Sequence, residues 1–219
     1  PDGLKGELWA AGLSCQEVAG FGGDRKENRQ LKGRTPLIPQ ATIAALFTYG
    51  ERILESADSL LDERDRGLGD ASELFHIRDA CFFLIGLLTG MRCDEILGVR
   101  VGAGRTEFKT GYQYNWIKSI EHKTKQGNVE YLVSSMGLRV VHIMERWSEP
   151  YRQDVEERIR ALGLHTQDNE DPKLAKALAE LLKQRDCLFF GQQNQVVSGR
   201  SWGSIMKSFA LRAGVDWNL

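Results

Sequence analysis

No apolar stretch in this sequence comes near the roughly 18 residues that a helix needs to cross a bilayer. The longest, Ala80 to Leu88, contains Gly86 and stops at Thr89-Gly90, which excludes a spanning helix and a membrane partner. Cysteine is scarce as well. Cys15, Cys81, Cys93 and Cys187 form no Cys-x-x-Cys pair and have no nearby histidines at zinc spacing. That pattern implies no metal site and fits free thiols in a reducing cytosol, hence a cytoplasmic protein. A Gly-rich phosphate loop, an internal repeat and a low-complexity tract are all missing. Pro1-Asp2-Gly3 offers neither an initiator Met nor a basic-then-apolar signal pattern, so the chain reads as an excised piece of a longer protein. Neither sign of charge dominates: 29 Lys and Arg against 30 Asp and Glu leave a formal net charge of -1, which removes any global signal for nucleic acid.

The rest suits a folded domain. The chain is 42% hydrophobic and 27% charged, and 219 residues allow one large domain or one domain with an appendage. Its charge is uneven. Segment 92–140 holds eight Lys and Arg against five Asp and Glu, and 187–219 holds three against one, each after an acidic segment. A chain that is neutral overall can therefore present one basic face.

Residues 1–36 combine a Gly-rich stretch with a charged run from Asp24 to Arg34 and show no sustained period, which predicts a linker or arm. From Pro39 to Leu61, apolar residues recur at helical spacing. A second, nearly all-apolar helix follows from Glu73 to Leu88 and belongs in the core, and a third starts at about Met91. The period changes to two from Tyr112 to Ile120, with Tyr112, Tyr114, Trp116, Lys118 and Ile120 on one side. Glu130 to Val133 reads as the returning strand and Lys123 to Asn128 as the turn. Helical spacing resumes from Val140 to Trp147, where Pro150 should break or kink it before a polar, acidic loop from His165 to Pro172. A helix from Lys173 to about Arg185, a short apolar segment from Cys187 to Phe190 and a last helix from Ser201 to Ala213 complete the chain. The predicted fold is mostly α with a small antiparallel β-hairpin or sheet, an α+β class.

The most informative stretch is Thr89-Gly90-Met91-Arg92-Cys93-Asp94-Glu95-Ile96. A buried helix that halts at Thr-Gly and is followed at once by Arg sets a guanidinium near the start of the next helix. There, the Arg fork and backbone N–H groups can face an anion. The plain alternative is an Arg92–Glu95 pair one turn apart on an exposed helix. Thirty residues on stands Glu121-His122-Lys123-Thr124-Lys125-Gln126-Gly127, which by itself reads as a solvated turn.

Taken together, these segments resemble the tyrosine recombinases, or phage integrases, whose first catalytic arginine lies in Thr-Gly-x-Arg-x-x-Glu-Leu or a near variant. Thr89, Gly90, Arg92, Glu95 and Ile96 match it. The resemblance implies Arg92 as phosphate clamp, Glu95 as the residue that orients it, and a hairpin lysine as general acid to the leaving 5′ oxygen. Lys123 is the better match for that acid and Lys125 the second. Leu188-Phe189-Phe190, then Val197-Ser198-Gly199-Arg200-Ser201-Trp202, are similar to a segment before a helix docked on DNA. Arg200 would contact a phosphate or a guanine edge, with Lys118, Lys125 and Lys207 as further DNA contacts, while Trp202 reads as core.

The implied partner is double-stranded DNA, with self-association on DNA in the full-length protein. The implied chemistry is strand breakage and rejoining through a 3′-phosphotyrosine, without a cofactor. Residues 37–219 would then be the N-terminal part of an integrase-type catalytic domain, incomplete at its C-terminus. The family continues with His-x-x-Arg and a nucleophilic Tyr, but no histidine here has Arg three residues later and no Tyr follows Tyr151. This chain alone is therefore expected to be inactive in cleavage. A non-catalytic DNA-binding protein on the same scaffold and a type IB topoisomerase-like enzyme are the alternatives.

Overall fold

The computed structural model describes residues 38–121, 127–167 and 171–216. The arm read at 1–36 and the residues Lys123 and Lys125 lie outside them. Helix α1, Gln40–Asp65, follows directly on Pro39 and buries Leu46, Gly50, Leu54, Ala57 and Leu61 along one stripe. Gly50 lets the next helix come close: a Cβ there would stand 3.3 Å from Leu84. Helix α2, Ala71–Thr89, starts where the Asp70 carboxylate accepts from Ser72 N–H, and it is buried almost all round. It ends at Gly90, whose φ of 69° is the left-handed conformation that glycine adopts without a Cβ clash. Helix α3, Cys93–Leu97, is a single turn.

The expected small antiparallel hairpin or sheet is a sheet of three strands. Strands β1 (Gly104–Lys109), β2 (Tyr112–Glu121) and β3 (Gly127–Val133) lie in the order β1-β2-β3. β1 escaped the sequence reading because all but its first residue are exposed, and β3 starts at Gly127 where a turn was expected. Along β2, Asn115, Ile117 and Ser119 face the core. Tyr112, Tyr114, Trp116, Lys118 and Ile120 share the outer face, as the period of two predicted.

Helix α4, Ser135–Gln167, continues past Pro150, so of the expected break or kink the break does not occur. Proline removes the N–H that would bond the carbonyl four residues earlier. Arg64 of α1 supplies the missing donors: Nη1 and Nη2 each reach Arg146 O at 3.3 Å, and Nη1 reaches Trp147 O at 3.0 Å. The same helix extends through His165 into the segment read as an acidic loop. Helix α5, Pro172–Gln184, is capped by Asp171, which accepts from Lys173 N–H. Cys187 to Phe190 is buried within the core, and helix α6, Gly199–Arg212, starts two residues earlier than expected. These elements belong to one unit, Gln40–Trp217, centred on α2, whose Leu84 and Ile85 share one core with Trp147 and Phe189. Among the described residues, no helix is long and apolar enough to cross a membrane.

Candidate functional site

The turn between α2 and α3 is built by short-range bonds. Thr89 Oγ1 donates to Ile85 O at 2.6 Å and accepts from Met91 N–H at 3.1 Å, while Gly90 N–H returns to Gly86 O. This locks the chain so that Arg92 emerges with extended backbone at the N-cap of α3. Glu95 then folds back. Its Oε2 accepts from Arg92 N–H at 2.7 Å and its Oε1 from Arg92 Nη1 at 2.9 Å.

The Arg92–Glu95 pair exists, yet it is not the exposed pair of the plain alternative. Glu95 is 5% exposed, whereas the Arg92 side chain is 57% exposed. Burial by itself would raise the Glu95 carboxyl pKa. The Arg92 N–H, the Tyr131 hydroxyl and the Arg92 charge together outweigh burial and hold it below its ordinary value. An ionised, buried carboxylate thus grips one edge of a guanidinium whose charge stays at the surface. The backbone N–H expected to face an anion is instead taken by Glu95, because a one-turn helix has no other acceptor for it.

Two further elements brace this turn from a distance in sequence. Ser119 of β2 donates its hydroxyl to Glu95 O, and Tyr131 of β3 reaches the Glu95 carboxylate. The first residue of α6 meets α3, where a Cβ on Gly199 would stand 2.9 Å from Asp94 Oδ1. Neither Ser119 nor Tyr131 carried a sequence signal beyond an inward strand position.

Arg200 lies in the first turn of α6, exposed and one residue from that contact. Lys207 follows two turns later on the same exposed face of the helix. Lys118 is not part of this group. It alternates with Ser119, so it projects from the outer face of the sheet, paired across the strands with Glu130. Lys123 and Lys125 lie outside the described residues, between Glu121 and Gly127, which pair at the end of β2 that Ser119 ties to α3. Trp202 is core, 3% exposed and stacked 3.4 Å from Phe82. Cys81, Cys93 and Cys187 are free thiols, with burial first among the causes that raise each of them. Among the described residues, no three of His, Cys, Asp and Glu gather in a metal-binding group. No family model, curated protein or solved structure matches the chain.

Proposed function

We propose that this chain contributes the phosphate clamp of a DNA strand-breaking and rejoining enzyme of the tyrosine-recombinase kind. The observation that carries the reading is the arrangement at Arg92, a half-exposed guanidinium held at one edge by a buried, ionised Glu95. Such preorganisation suits a group that must meet charge building on phosphoryl oxygens, since it need not reorganise when the charge appears.

In this reading, Arg92 neutralises the non-bridging oxygens, and Lys123, with Lys125 as its rival, protonates the leaving 5′ oxygen. A tyrosine supplied outside the residues of this chain attacks the phosphorus. Arg200 and Lys207 hold neighbouring phosphates along α6. The duplex is the partner, and the phosphotyrosine conserves the energy of the broken bond, so no cofactor takes part.

The rival is a DNA-binding protein without chemistry on the same scaffold. It draws support from Arg92 already sharing its charge with Glu95. Both readings require duplex binding that weakens with salt. About four phosphate contacts imply a roughly 10²-fold loss between about 50 and 200 mM salt. Only the enzyme reading requires a covalent protein–DNA adduct from a longer reading frame that carries the tyrosine, with Arg92→Ala abolishing the adduct and leaving binding nearly intact. Salt-independent binding defeats both readings. An adduct that forms equally well in Arg92→Ala defeats the first.

A further inference from the structure

A second site stands apart from Arg92, in a cleft of about 570 Å³ between the first half of α2, residues 191–197 and one face of α6. Two nearly buried charges form its base: Arg78 is 6% and Asp79 3% exposed. Arg78 Nε and Nη2 donate to Asp79 Oδ1 at 2.9 and 2.6 Å, and Nη1 donates to Phe190 O at 2.9 Å. Arg212, near the far end of α6, donates from Nη2 to Asp79 Oδ2 at 2.7 Å. Two guanidiniums therefore share one carboxylate, and among the described residues Asp79 is the only acid lining the cleft.

Arg78, Arg212 and Asp79 together carry a net positive charge, and the Arg212 side chain is 28% exposed. Arg212 Nε is sealed from solvent and has no hydrogen-bond partner among the described residues. His76, also in the lining, is biased to its neutral form, since burial, and after it the Arg212 charge, lowers its pKa. An anion entering the cleft would meet that net charge. Hydroxyls at Ser204 and Ser208 flank the pair on one side, and Phe75 and Ile205 form an apolar wall. Guanidinium forks match the spaced oxygens of a phosphate, and the volume exceeds that of a bare ion and suits a small organic molecule.

We propose that this cleft binds a phosphate-bearing small molecule of about nucleotide size, with its phosphate against Arg212 and its organic body against Phe75 and Ile205. The proposal does not depend on the DNA chemistry assigned to Arg92. A nucleic-acid backbone carries the same phosphate chemistry, and the test separates the two sources.

The chain is titrated by calorimetry with adenosine 5′-monophosphate, adenosine and inorganic phosphate. Saturable binding of the monophosphate is expected, at least about tenfold weaker binding of inorganic phosphate, and none of adenosine. Arg212→Gln also strips Asp79 of a partner, so Ser208→Asp is the decisive variant: it sets a carboxylate at an exposed position one turn from Arg212. It should weaken the monophosphate at least about tenfold with an unchanged circular-dichroism spectrum and Tm. The proposal is overturned by adenosine binding as tightly as its monophosphate, by inorganic phosphate binding as tightly, by unchanged affinity in Ser208→Asp, or by no binding of the monophosphate at all. Displacement of bound monophosphate by a duplex oligonucleotide would give the cleft to the DNA backbone and overturn the small-molecule assignment.

Discussion

Replacing Glu95 by Gln tests the clamp at its base. The carboxylate is buried and accepts from three donors: Arg92 N–H, Arg92 Nη1 and the Tyr131 hydroxyl. A glutamine of the same shape offers one acceptor oxygen, and its amide nitrogen would face a donor. One or two donors lose their partner and the guanidinium loses its counter-charge. Bonds to a charged group are worth about 1.5–3 kcal/mol each and a stranded buried donor costs about 1–3, so the expected destabilisation at pH 7 is about 2–4 kcal/mol.

The pH dependence has a definite sign. The folded-state pKa of Glu95 lies below its unfolded value, so its stabilising contribution is present above the ordinary Glu pKa and disappears as pH falls through the folded value. Urea titrations of the wild type and of Glu95→Gln, at pH 7 and then at acid pH, should show the gap closing on acidification. A gap that stays constant, or one below about 0.5 kcal/mol at pH 7, would refute the claim that an ionised Glu95 holds the turn.

Gly90→Ala forces a Cβ into a left-handed residue and should cost about 1 kcal/mol in a thermal melt; an unchanged Tm would mean that the turn is not rigid. Arg64→Met strands the Arg146 carbonyl and should cost about 1–3 kcal/mol, but about 1 kcal/mol less with Pro150→Ala, whose N–H restores the helical bond to Arg146. Equal costs in the two backgrounds would dissociate Arg64 from the proline. In a longer protein competent for cleavage, Arg92→Ala should slow cleavage by at least about 10²-fold with little change in DNA affinity. In the same protein, a substrate whose leaving oxygen is replaced by sulfur should rescue loss of the acid but not loss of Arg92, because a thiolate departs without a proton. Comparing Lys123→Ala with Lys125→Ala then identifies the acid, and equal rescue of both lysine variants and Arg92→Ala, or of none, would show the hairpin assignment to be wrong.

Local pattern was sufficient for much of the scaffold. The stripe of α1, the all-apolar α2 halted by Gly90, the alternation along β2 and the one-turn spacing of Arg92 and Glu95 are all short-range features, and short-range sterics and periodicity dictate them. The elements that came out differently depend on distant partners. β1 is a polar segment that becomes a strand only because β2 offers it an edge. Pro150 stays helical because Arg64, 82 positions from Arg146, donates where the proline cannot.

The same division holds at the two sites. Sequence places Arg92 beside Glu95, but the burial that distinguishes this pair from a surface ion pair comes from Ser119 and Tyr131, carried in by the sheet. The Arg78–Asp79–Arg212 network joins residues 133 positions apart, and no local pattern marks it. Hydrogen bonding and desolvation act over a few ångströms in space, so which charges are shared and which are left over is decided only when α2, the sheet and α6 have packed.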